Sequence, residues 1–149
     1  MNLLLLAIPL AVVVACSAFA DEQPAKAPTF KPRLSSIMSV TQSLHYKVWY
    51  AGRNRNWALA DYEQKRLKDA FEDAITFYPG LAQADMTIME KPAAKVDAAI
   101  KAKDSAAFAR AFVKLTEACN RCHHSQGYKF ISVRVPTASP HSNQVFTPQ

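Results

Sequence analysis

Apolar residues recur along much of this chain at steps of three and four, the spacing that lines one face of a helix. Leu34, Ile37, Met38, Thr41, Leu44, His45 and Val48 form the first such stripe. It predicts a helix that opens at Pro32, a residue suited to the first helical position, and ends near Tyr50. Gly52-Arg53-Asn54-Arg55-Asn56 supplies a turn. A second stripe, Ala60, Gln64, Leu67, Phe71, Ala74, Ile75 and Tyr78, predicts a helix from Trp57 to Tyr78, with Pro79-Gly80 as its stop. Leu81 to Lys91 has no clear period and reads as a loop or short turn from which Met86, Ile88 and Met89 line the core. Pro92 to Lys103 is rich in Ala and Lys and begins with proline, so it predicts a short third helix. Asp104 or Ser105 can cap a fourth, whose apolar face runs through Phe108, Ala111, Phe112, Leu115, Cys119 and Cys122 and which ends at Gly127.

From Tyr128 onward Ile131, Val133 and Val135 alternate with Ser132 and Arg134, and then Pro136, Pro140 and Pro148 interrupt a polar sequence. A lone strand-like stretch has no sheet to join, so these residues are expected to lie extended on the helices, with disorder past about Ser139 as the alternative. The fold class that follows is all-α: an up-and-down four-helix bundle with a short third helix and an extended C-terminal tail.

The N-terminal apolar run, Leu3 to Ala15, is too short for a permanent membrane span and has the length of a signal-peptide core. Ala18-Phe19-Ala20 is an A-x-A cleavage site, and residues 1–20 are assigned as a signal peptide; Val13-Val14-Ala15-Cys16 is a competing lipoprotein box, through which Cys16 would anchor the chain. Residues 21–31 hold Pro24 and Pro28 and read as a flexible lead-in, leaving 32–127 as the helical domain and 128–149 as the tail. Export points to the bacterial periplasm.

The formal charge of +6 falls entirely on the exported part, since residues 1–20 carry no charged side chain. Basic residues are spread rather than massed, which argues against nucleic acid and fits acidic redox partners, an anionic membrane face or simple solvation. Glu63, Asp69, Glu72 and Asp73 alternate with Lys65, Arg66 and Lys68 on the second helix and read as its solvated face. Trp49, Tyr50, Trp57 and Tyr62 bracket the first turn and are expected to pack there. No paired carboxylates, nucleophilic triad or phosphate loop is present, so catalysis by side chains is not expected.

The chemistry is concentrated in Cys119-Asn120-Arg121-Cys122-His123, a C-x-x-C-H run. On a helix the two thiols lie one turn apart on one face, matching the two vinyl groups of a haem, and His123 falls on the same face as the proximal ligand to the iron. One covalently held haem c is therefore the expected cofactor, and the extended segment from Tyr128 onward could lie over an exposed edge of it. A thiol-disulfide centre needs its first cysteine at a helix N-terminus, and this pair lies at the opposite end. Zinc would need further ligands, and His45, His124 and His141 are scattered.

A single haem motif late in an all-helical chain resembles the cytochrome c-prime and cytochrome c-556 family. The resemblance covers about Pro32 to Tyr128 and rests on Cys119, Cys122 and His123, with Arg33 and Ile37-Met38 as a weaker echo. The chain departs from the family in placing Tyr128-Lys129 two positions late. The resemblance implies a carrier of single electrons between redox partners, or else a five-coordinate haem binding nitric oxide or carbon monoxide; relatives often pair into homodimers through their first helices.

In an up-and-down bundle the last turns of helix four lie beside the first turns of helix one, a level that holds Leu34, Ile37 and Met38. Met38 is the candidate distal ligand, as the resemblance to cytochrome c-556 also implies, and it would raise the iron's potential. If Ile37 faces the iron the site is five-coordinate. His45, about ten ångströms further along the same face, is a second candidate that register disfavours. His124 should point to solvent, and His141 is a remote candidate.

Overall fold

A computed structural model describes residues 30–149, apart from the side chains of residues 82–87. The signal peptide expected over residues 1–20, Cys16 with it, and the lead-in up to residue 29 lie outside the described residues, as does the Met86 side chain. Helices α1 (Leu34–Arg53), α2 (Trp57–Phe77), α3 (Pro79–Lys101) and α4 (Ser105–Ser125) follow one another, and there is no strand among the described residues. None of these helices is long and apolar enough to cross a membrane.

The chain departs from expectation in its third helix. Residues 81–91, expected as a loop or short turn, are helical and continuous with the Ala-rich segment, so α3 is 23 residues long rather than short. Pro79 stops α2 as expected and is at the same time the first residue of α3, where a missing N–H costs nothing. The same proline bars Tyr78 from helical geometry (φ −133°, ψ 68°), so a single residue separates α2 from α3. Pro92 then sits inside the helix. It removes one hydrogen bond, but Met89, Ala93, Val96, Ala99 and Ile100 continue one buried stripe across it.

α1 packs on α2, α2 on α3, α3 on α4, and α1 on α4. The ring contacts give the direction of the last pair. His45 meets Phe112 (4.5 Å), Trp49 meets Phe112 (5.0 Å) and Phe108 (6.1 Å), and Gly52 abuts Phe108, so numbers rise along α1 as they fall along α4. The two helices are antiparallel and bridged by large side chains. Trp57 adds an edge contact to Phe108 (6.0 Å), and Tyr50 pairs with Phe146 (5.5 Å), so three of the four aromatics expected at the first turn pack there. Tyr62 is 57% exposed and does not.

Glu63 also departs from expectation: it is buried rather than solvated, and pairs with Arg66 (3.1 Å) and Lys47 (3.9 Å). With Ala60, Gln64 and Leu67 it completes an i, i+3, i+4, i+7 set, and its carboxylate is tolerated inside because two cations reach it.

Three helices end in the same backbone device. After α4 the Gly127 N–H donates to His124 O (3.2 Å) and the Tyr128 N–H to His123 O (2.7 Å), with Gly127 at φ 83°. Arg55 (φ 59°) and Lys103 (φ 54°) hold the corresponding left-handed positions after α1 and α3. A side chain there is strained where glycine is not. Arg55→Gly and Lys103→Gly should therefore each stabilise by about 0.5 to 1 kcal/mol, read as a rise in the urea midpoint at unchanged slope.

The tail is extended and lies on the helices well beyond Ser139. Trp49 Nε1–H donates to Pro136 O (3.0 Å), the His141 ring meets Tyr46 (4.8 Å), Phe146 is 8% exposed, and Asn56 Nδ2 donates to Thr147 O (3.2 Å).

Candidate functional site

Asp104 starts α4 by accepting hydrogen bonds from the Ala106 and Ala107 N–H groups, both at 2.9 Å. From there Phe108, Ala111, Phe112, Leu115, Thr116 and Ala118 are buried in turn, which fixes the rotation of the helix. That rotation leaves Cys119, Cys122 and His123 half-buried on the same side, at the rim of the core. Cys119 packs against the core cluster. The backbone turn at Gly127 fixes the last carbonyls of α4, His123 O among them.

Of the two imidazole nitrogens of His123, Nδ1 is buried without a hydrogen-bond partner. A neutral imidazole nitrogen without a hydrogen-bond partner keeps its capacity to donate or accept for another group. His124 is exposed, as expected.

His45 does not lie at this level. Its Nε2 is 2.9 Å from Thr116 Oγ1, whose own proton goes to Phe112 O (3.0 Å), so Nε2–H is the donor and that nitrogen is engaged in the α1–α4 interface. Thr116 and His123 on α4 and His45 and Met38 on α1 are each seven positions apart, so antiparallel register sets Met38 at the level of His123. Met38 is half-buried there, and its neighbour Ile37 is buried. The start of α1 is held at that end by Tyr78, the residue between α2 and α3: the Leu34 N–H donates to Tyr78 Oη (2.9 Å), and the Tyr78 hydroxyl donates to Pro32 O (2.9 Å).

No protein-family model, curated protein or solved structure matches this chain. What the site can do therefore rests on its own geometry.

Burial, with a smaller contribution from Cys122, pushes the Cys119 thiol up to about 12. A thiol so far from ionising at neutral pH is a poor nucleophile, which counts against thiol-disulfide exchange. Among the described residues no group of three or more His, Cys, Asp or Glu side chains is placed to hold a bare metal ion. Two open clefts lie elsewhere, one of about 800 Å³ beside Trp57, Lys101 and Lys103 and one of about 430 Å³ between α3 and α4, and neither is lined by a residue of the motif.

His45 gives the site's neighbourhood a pH dependence. Burial lowers its pKa from 6.5 to about 4. In the unfolded chain it takes up a proton near 6.5 and in the folded chain only near 4, so its contribution is complete above 6.5 and is lost as pH falls toward 4. The loss amounts to about 3 kcal/mol. Urea denaturation from pH 7 to pH 4 should show that loss in the wild type and a smaller one in His45→Gln.

Sequence reasoning missed the Asn120 side chain. Its Nδ2 donates to Val133 O (2.8 Å) and its Oδ1 accepts from the Val133 N–H (2.7 Å), fastening the tail to a residue between the two cysteines. Only the two-sided capacity of an amide hinted at this.

Proposed function

We propose that this chain is an exported mono-haem c-type cytochrome, carrying single electrons between redox partners of the bacterial periplasm. The observation that carries the reading is the placement of Cys119, Cys122 and His123 together on one face of the last turns of α4, at the rim of the core rather than inside it. Cys119 and Cys122 would hold the porphyrin by thioether bonds and His123, whose Nδ1 makes no hydrogen bond within the chain, would ligate its iron. Bound haem supplies a one-electron ferric–ferrous couple.

The chain's own residues set the conditions for that couple. The packing of α1 through α4 is read as an up-and-down four-helix bundle, which gives the cofactor a rigid frame. Cys119 lies against the apolar cluster, and a haem attached there would be partly shielded from water, which would favour the less charged oxidation state. The formal charge of +6 suits acidic donors and acceptors. No step requires a side-chain acid or base, in keeping with a carrier rather than an enzyme.

Met38, opposite His123, is assigned as the distal ligand. A second reading has its own observation: Ile37, beside Met38, is the more buried of the two, and an isoleucine over the iron would leave a site for nitric oxide or carbon monoxide. Substituting Met38→Ala separates them. The electron-carrier reading expects a low-spin wild type indifferent to carbon monoxide and a high-spin variant that binds it; a wild type already high-spin and responsive to the gas would favour the second reading.

A further inference from the structure

Immediately after the motif the chain exposes three large apolar side chains within four residues: Phe130 at 82%, Ile131 at 43% and Tyr128 at 41%. They are held in a defined shape. The Ile131 N–H donates to Tyr128 O (2.9 Å), closing a turn, and the Tyr128 and Phe130 rings meet edge to face at 6.1 Å. The first residue of this turn, and Val133 two residues past its last, are tied to the C-x-x-C-H run itself. The Tyr128 N–H donates to His123 O (2.7 Å), and Val133 is clasped by the Asn120 amide through bonds of 2.7 and 2.8 Å. An ordered apolar surface facing water is a surface lacking its partner. Here the anchors lie on His123 and on the residue between the two cysteines, so the turn is held beside the segment to which a group bonded to those cysteines would be attached.

We propose that the turn Tyr128–Ile131 closes over an edge of the porphyrin attached at Cys119 and Cys122, with Phe130 as its contact, and that Asn120 is the residue that positions it. This rests on the haem reading of the motif. Asn120 touches no cofactor; it holds the strand of backbone that carries the cover. The Asn120→Asp side chain would keep an acceptor for the Val133 N–H but set a carboxylate against Val133 O, opening the clasp without removing bulk.

The test uses the matured, haem-bearing chain. Chymotrypsin should cut after Tyr128 and Phe130 roughly tenfold more slowly in that protein than in the colourless chain made without haem attachment, with cutting after buried Phe112 as the control for general unfolding. Asn120→Asp should return the rate to within about twofold of the colourless chain while the haem stays attached. Phe130→Ser should increase the response of the haem absorbance to added ethylene glycol and lower the reduction potential, changes that a purely structural role would not produce. A coloured protein cut after Phe130 as fast as the colourless chain, or a Phe130→Ser protein whose spectrum and potential match the wild type, would overturn the proposal and leave the haem reading standing. A colourless product from cells competent in haem attachment would remove the haem reading first, and this one with it.

Discussion

Replacing both cysteines, Cys119→Ala with Cys122→Ala, is expected to abolish covalent haem attachment outright while leaving the helices in place. Both side chains sit at the rim of the core, half-buried, so their loss removes two sulfur atoms and little packing. The helical content by circular dichroism should fall by no more than the haem-free wild type shows. Single substitutions should give a graded result: one thioether still tethers the porphyrin, whereas His123→Ala keeps both attachment points and loses the iron's proximal ligand. The measurement is the haem retained after acid-acetone extraction of protein made with the haem-attachment machinery. If the double variant kept its full complement, the site would lie elsewhere in the chain.

Phe108→Ala is the largest expected loss of stability, about 4 kcal/mol. Phe108 is 1% exposed and its ring lies within 6.1 Å of the rings of Trp49, Trp57 and Phe112. The three rings that meet it are stiff and the facing position on α1 is Gly52, so a cavity there is poorly refilled. The same contact runs the other way. A Cβ at Gly52 would drive into the Phe108 ring, so Gly52→Ala should destabilise by about 1 to 3 kcal/mol despite its better helix propensity. In the double variant the new methyl enters the space the ring vacated. The two losses should then sum to more than the loss in the double variant, a coupling that urea denaturation of all four proteins measures.

Three of the four helices were legible because their buried faces keep one period and their ends carry recognisable chemistry. Asp104 caps α4 as expected and Gly127 closes it. α3 was illegible for a physical reason. Two prolines fell inside one helix, one at its first position where it is harmless, the other where neighbouring alanines and the stripe from Met89 to Ile100 offset its cost. Proline punctuation misleads when tertiary packing outweighs it. Glu63 was misread because charge alone does not tell a solvated carboxylate from one buried between Lys47 and Arg66.

At the site, the spacing of Cys119, Cys122 and His123 already implied a common face, since helical periodicity guarantees it once the helix exists. The register that sets Met38 opposite His123, and keeps His45 at Thr116, depends on how α1 and α4 align. That alignment is fixed by Trp49, Phe108 and Phe112 far from the motif. The Asn120 clasp spans 13 residues and leaves no periodic trace, which is why only the folded chain reveals it.

The most direct measurement is the intact mass of the exported chain, purified from cells able to attach haem and then fully denatured. The account predicts a single species heavier than the signal-cleaved polypeptide by one haem, with the colour remaining on the protein. A mass equal to that of the bare polypeptide, with the haem either absent or washed away on denaturation, would contradict it.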